Sequence, residues 1–183
     1  MAEHSLERPG EESALVLHIP EVEDLVGPYR LQWDPSAKLG VPAHVTLLYP
    51  FMPPSLIDAG QILKLGELFA DFPSLDISFN EIRRWPEVLY LHPSPSAPVK
   101  ALMGGIMDAY PIYPPYGREN LEAVPHLTVA QADHPHMLDE IGRLFNQAAV
   151  NVLPIQARVD EVTVMQKRGG SWRITHRFPL RKL

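Results

Sequence analysis

The sequence contains no cysteine. That absence removes disulfides, thiolate nucleophiles, iron–sulfur clusters and cysteine-based zinc sites together. Long apolar runs are missing too: charges and 20 prolines interrupt every stretch well short of the ~20 residues a bilayer span needs. The opening segment, with Glu3, Glu7, Glu11 and Glu12 against Arg8, reads as the opposite of a basic leader. No Gly-rich phosphate loop, Walker pattern or dinucleotide fingerprint occurs, so ATP dependence has no support. These absences lead to the expectation of a soluble, cytoplasmic protein without membrane contact.

What is present is enough for a packed fold. The 183 residues are 45% hydrophobic and 21% charged, which excludes disorder for most of the chain. At this size a compact fold buries roughly 70% of the unfolded surface. The formal charge is −6, unevenly spread. Residues 157–183 hold seven basic and two acidic side chains, a net of +5, so the preceding 156 residues sum to −11. An acidic body of this kind does not coat long nucleic acid, whose binding relies on Lys and Arg neutralising phosphates. Its basic end can still attract a small anion.

Residues 1–12 are polar and aperiodic and read as a loose tail, with one domain over 13–183. Residues 13–20 predict a short buried strand. Residues 21–34 predict a helix, with a kink or break at Pro28. A strand follows over 44–51, then a helix capped by Ser55 and a strand over 75–79. The second half repeats this order: strand 88–91, helix 96–110, strand 124–130, then a helix opened by Asp133, His134 and Pro135 and running to about residue 150. Residues 155–166 and 172–180 predict a closing hairpin, turned at Gly169-Gly170. The order strand, helix, strand, helix, strand thus occurs twice, an internal duplication of architecture. Lobe one is expected near 13–86 and lobe two near 87–183, with the final strands free to cross.

Each half contains the same polar pair. In His44-Val45-Thr46-Leu47, strand alternation sends His44 and Thr46 to one face and the aliphatics to the other. His126-Leu127-Thr128-Val129 repeats the pattern 82 residues on. One histidine on a strand is more often structural than functional; two in matching positions reverse those odds. Two imidazoles near pKa 6.5 can hold opposite protonation states as general base and general acid, and two hydroxyls can hydrogen-bond an oxyanion. That set suits in-line displacement at a phosphodiester without a metal.

The paired motifs resemble those of the 2H phosphoesterase superfamily, the proteins often called the 2′-5′ RNA ligase family. The likeness to a bacterial branch extends over about residues 13–181. It includes Asp34-Pro35-Ser36-Ala37, the stretch Gly40-Val41-Pro42-Ala43 before His44, Tyr49-Pro50-Phe51, Tyr113-Pro114-Pro115-Tyr116-Gly117, Gly170-Ser171-Trp172-Arg173 and Arg177-Phe178-Pro179-Leu180. The resemblance implies an α+β fold: two pseudo-two-fold lobes of β-α-β-α-β order, with antiparallel-type sheets around a central cleft. It implies opening or hydrolysis of 2′,3′-cyclic or 2′-5′ phosphodiesters at short RNA ends or nucleotides, without cofactor or metal. By carry-over His44 and His126 share the acid and base roles, and Thr46 and Thr128 hold the phosphate oxygens. Which histidine is the base stays open. The family also contains ligases that run the reverse reaction, and nucleotide or RNA-end binding without turnover is the other reading.

Other residues carry weaker signals. Tyr113 and Tyr116 either stack a nucleobase or cover the core, and Trp85 has the same ambiguity. Arg173 is a candidate for substrate binding on the last strand. His134 and His136 read as an exposed helix start rather than a metal site, lacking a third ligand. His18 and His92 fall at strand ends with no partner visible in sequence. A monomer is expected.

Overall fold

The structure, a computed structural model, describes residues 11–118 and 123–182. The first ten residues of the expected tail lie outside these, and Glu12 already belongs to a strand. Among the described residues, eight strands make two antiparallel sheets. β1 (Glu12–His18), β2 (His44–Leu48), β7 (Glu161–Arg168) and β8 (Ser171–Pro179) form one, in the order β2-β1-β7-β8. β3 (Leu75–Arg84), β4 (Val88–Ser94), β5 (Leu127–Gln131) and β6 (Ile155–Val159) form the other, in the order β5-β4-β3-β6. The fold is α+β, and the two His-x-Thr segments lie on matching edge strands. The sheets do not coincide with residues 13–86 and 87–183, because β3 pairs with β4 while β7 and β8 pair beside β1.

Among the described residues, five α-helices connect the strands: α1 (Glu23–Trp33), α2 (Pro35–Lys38), α3 (Ala59–Ala70), α4 (Ala97–Ala109) and α5 (Pro135–Ala149). α1 runs unbroken through Pro28. The proline forfeits one bond, to the Asp24 carbonyl, while Leu25, Val26 and Arg30 bury around it and Tyr29 packs edge-on against Phe145. α3 begins later than expected. Ser55 lies in a 3₁₀ turn over Pro54–Leu56, and the cap is Asp58, whose carboxylate accepts from the Gln61 N–H at 2.8 Å. The cap residue of α5 is likewise His134, with Pro135 at the first helical position.

Two of the strand boundaries that moved have plain physical reasons. β3 extends to Arg84 because a bulge at Asn80 shifts the register between Phe79 and Glu81, and this phase change hides the continuing alternation. The expected single strand over 155–166 is two, β6 and β7, which divide at the exposed Asp160 as the chain turns from one sheet to the other. One core runs through both sheets, with Leu15, Leu17, Phe69, Phe79, Leu91 and Phe145 at its centre. The aliphatic partners of the histidines, Val45, Leu47, Leu127 and Val129, are buried in it, which fixes the opposite faces toward the cleft.

Candidate active site

His44 opens β2 and His126 directly precedes β5. The expected strand over 124–130 therefore starts three residues late, although alternating burial extends back through His126. Both histidines and both threonines line one cleft of about 720 Å³ between the sheets, within the usual range for a small-molecule site.

The two imidazoles are held alike. His44 Nδ1 lies 2.8 Å from the Pro42 carbonyl, and His126 Nδ1 lies 2.8 Å from the Val124 carbonyl. A carbonyl only accepts, so each Nδ1 carries the proton and donates it, leaving each Nε2 with its lone pair free. The match does not depend on proline placement, since Pro42 is the acceptor in one case and Pro125 merely intervenes in the other.

Their surroundings differ. Burial lowers the His44 pKa, the Arg30 guanidinium lowers it further, and the opposing pull of the Pro42 carbonyl and Asp34 leaves it at about 4. Arg30 is only 1% exposed. Its Nε donates to Asp34 Oδ2 at 3.1 Å, and Asp34 Oδ1 accepts from the Ser36 N–H at 2.9 Å and hydroxyl at 2.7 Å. His126 is also lowered by burial, against the Val124 carbonyl, but no cation figures among the causes. Aromatic rings flank it instead: Trp85 at 4.7 Å and Tyr90 at 5.7 Å between ring centroids, both steeply tilted.

The remaining candidates separate. Tyr116 lines the cleft along with Thr46, and is the one non-glycine residue among those described in the left-handed region, at φ 52°. Its N–H donates to the Tyr49 carbonyl at 2.6 Å, tying the loop to the end of β2. Tyr113 packs on Phe51 at 5.6 Å and covers the core. Arg173 is exposed on β8 and lies outside the cleft, whereas its neighbour Trp172 lines it. The Trp172 N–H donates to the Leu39 carbonyl at 2.7 Å. This close approach leaves no room for a Cβ at Gly40, which would sit 3.0 Å from the Trp172 carbonyl at φ +95°. His134 and His136 are exposed at the helix start, and no cluster of three His, Asp or Glu side chains that could hold a metal occurs among the described residues.

Strand pairing also brings His18 and His92 toward the two site histidines. His18 stands opposite His44, as Val16 does opposite Thr46. On the other sheet Tyr90 stands opposite Thr128 and Leu91 opposite Leu127, one residue short of His92 and His126. The signal was present in sequence as a second repeat, Leu15-Val16-Leu17-His18 and Leu89-Tyr90-Leu91-His92.

Comparison with known proteins agrees with this geometry. The family model described as the 2′-5′ RNA ligase superfamily matches residues 18–171. No curated protein matches the chain in sequence. Among solved structures, E. coli LigT complexed with 3′-AMP is similar in fold at a TM-score of 0.58 and 17% identity, over 93% of this chain and 98% of that one. LigT complexed with NADP+ is similar at 0.56 and 18%, over 95% and 99%. TT0787 of Thermus thermophilus is similar at 0.57 and 17%, over 93% and 98%.

Proposed function

The chain belongs to the 2′-5′ RNA ligase superfamily of 2H phosphoesterases, and from that footing we propose that it is a phosphodiesterase acting, without a metal, on 2′,3′-cyclic or 2′-5′ linkages. Its substrates are nucleotides or short RNA ends, which suit a bounded cleft in an acidic protein better than long nucleic acid does. One observation carries the reading: two imidazoles with identically fixed Nδ1–H groups present free Nε2 atoms to one cleft, each beside a threonine hydroxyl.

The unlike surroundings divide the labour. His44, kept neutral by burial and Arg30, is the base. His126, which lacks the guanidinium that further disfavours a cation at His44, is the acid. For a 2′,3′-cyclic phosphate, water adds to phosphorus as its proton passes to His44 Nε2. The bond from phosphorus to one ribose oxygen breaks as His126 Nε2–H delivers its proton to that oxygen. A nucleoside monophosphate leaves, and the two histidines have exchanged protonation states. Thr46 and Thr128 donate to the non-bridging oxygens, where charge builds.

The test is turnover of 2′,3′-cyclic nucleotides and 2′-5′ oligoadenylates with EDTA present. His44→Ala and His126→Ala are each expected to lose a factor on the order of 10²–10⁴. Equal rates in all three proteins, or no turnover of any such substrate, would refute the assignment. Tight binding without turnover would turn the protein into a nucleotide-binding module.

A further inference from the structure

Beyond the catalytic groups the cleft continues along one sheet as a slot with a polar end. Val16 stands opposite Thr46, and Ala14 lies two residues further on, opposite Met165. Ala14, Val16, Val41 and Met165 form a small apolar cluster separate from the main core, with Tyr49 and Trp172 packed against it. These two rings meet edge-on at 6.0 Å. At the far end Glu12 pairs with Lys167 across the sheet, and Lys167 with Trp172. Lys167 Nζ donates to Glu12 Oε1 at 3.0 Å, while the Tyr49 hydroxyl donates to Glu12 Oε2. All four side chains line the cleft. The second sheet and its β3–β4 turn add Trp85, Val88, Thr128 and Gln131 to the cleft lining, none of them charged.

The dimensions suit one nucleotide. Val16 and Glu12 are four positions apart, or about 13 Å at the ~3.3 Å rise of a strand, close to the span from a phosphate to the far edge of its base. The apolar floor and aromatic walls accept a base by its faces. The polar end then meets its pairing edge. Each Glu12 oxygen accepts one bond already and keeps acceptor capacity for another, and the ammonium retains further N–H groups. A carboxylate with two open acceptors beside an ammonium complements an edge with two adjacent N–H donors beside a carbonyl. Among the four RNA bases only guanine has that edge. Uracil offers one N–H between two carbonyls, and adenine and cytosine each set one amino group beside a ring acceptor.

Resting on the reading that the cleft holds a nucleotide, we propose that Glu12 and Lys167 form a guanine-reading subsite, with Tyr49 and Trp172 as its aromatic walls. The ionised state this requires of Glu12 is supported by the Tyr49 and Lys167 bonds, which outweigh its burial and hold its pKa below the usual value.

The experiment measures equilibrium binding of the four ribonucleoside 3′-monophosphates to the full chain by calorimetry, so that no catalysis is needed. 3′-GMP is expected to bind on the order of 10- to 100-fold tighter than the others, the worth of hydrogen bonds to a charged group. Glu12→Gln is expected to remove most of that advantage while leaving 3′-CMP affinity unchanged, and Lys167→Met to weaken 3′-GMP selectively. Equal affinity for all four nucleotides, or a uniform loss in Glu12→Gln, overturns the subsite. Guanosine-selective binding with no turnover of any cyclic nucleotide overturns the enzymatic function and supports the subsite. Turnover without base preference does the reverse.

Discussion

Replacing His126 with alanine isolates the role of His44, because the remaining imidazole then sets the pH dependence alone. The His44 pKa lies at about 4. At about pH 6, two units above it, on the order of one imidazole in a hundred is protonated. As a base His44 is then fully competent; as an acid it would retain about 1% of its capacity. In His126→Ala, kcat/KM for a 2′,3′-cyclic nucleotide should therefore rise about tenfold per unit up to about pH 4 and stay level toward about pH 8. The complementary His44→Ala should lose activity as pH rises through the His126 pKa, which lies below the ordinary value. The wild-type bell alone does not discriminate, since exchanging the roles leaves its shape unchanged. The single variants do. A fall in His126→Ala activity above about pH 4, with a rise in His44→Ala, would assign the roles the other way and refute the electrostatic reasoning.

Further outcomes follow from the same contacts. Between about pH 6.5 and about 4 the unfolded chain protonates His44 while the folded chain resists, so stability present at neutral pH falls as pH drops, by up to about 1.4 kcal/mol per unit. Chemical denaturation at stepped pH should show this slope, and His44→Leu should flatten it; an unchanged slope would count against burial of a neutral ring. Arg30→Met alone leaves Asp34 buried without its cation and should cost about 3–5 kcal/mol, much of it recovered in Arg30→Met/Asp34→Leu. Equal melting temperatures for the single and double variants would contradict that account. Gly40→Ala forces a left-handed conformation and a clash with the Trp172 carbonyl, and should lower stability by about 1–3 kcal/mol in thermal melts; a neutral effect would show that the loop can move off β8.

Much of this protein was legible before folding. Strand alternation alone put His44 with Thr46 and His126 with Thr128 on single faces, because a period of two leaves no other arrangement once Val45, Leu47, Leu127 and Val129 bury. Missing cysteine narrowed the reactive side chains toward histidine, and the repeated order of elements implied two related sheets. Local capping was less legible: Ser55 was expected to cap the helix, but it falls in the 3₁₀ turn at Pro54 and Asp58 is the cap.

What the sequence could not decide depended on pairings between distant strands. Corner and bulge residues such as Asp160 and Asn80 look like ordinary polar positions until two sheets compete for the chain. The tautomers of the histidines follow from carbonyls two residues back, but only the cleft determines that Nε2 is the atom left free. The unlike environments of two like motifs come from α1 packing Arg30 near one and the β3–β4 turn laying Trp85 against the other. Glu12, read as part of a loose tail, became the partner of Lys167, 155 residues away. Periodicity and composition report which face a side chain takes, a local property. Which charge or ring it meets there is set by long-range packing, and in this protein that difference separates recognising two histidines from assigning them opposite work.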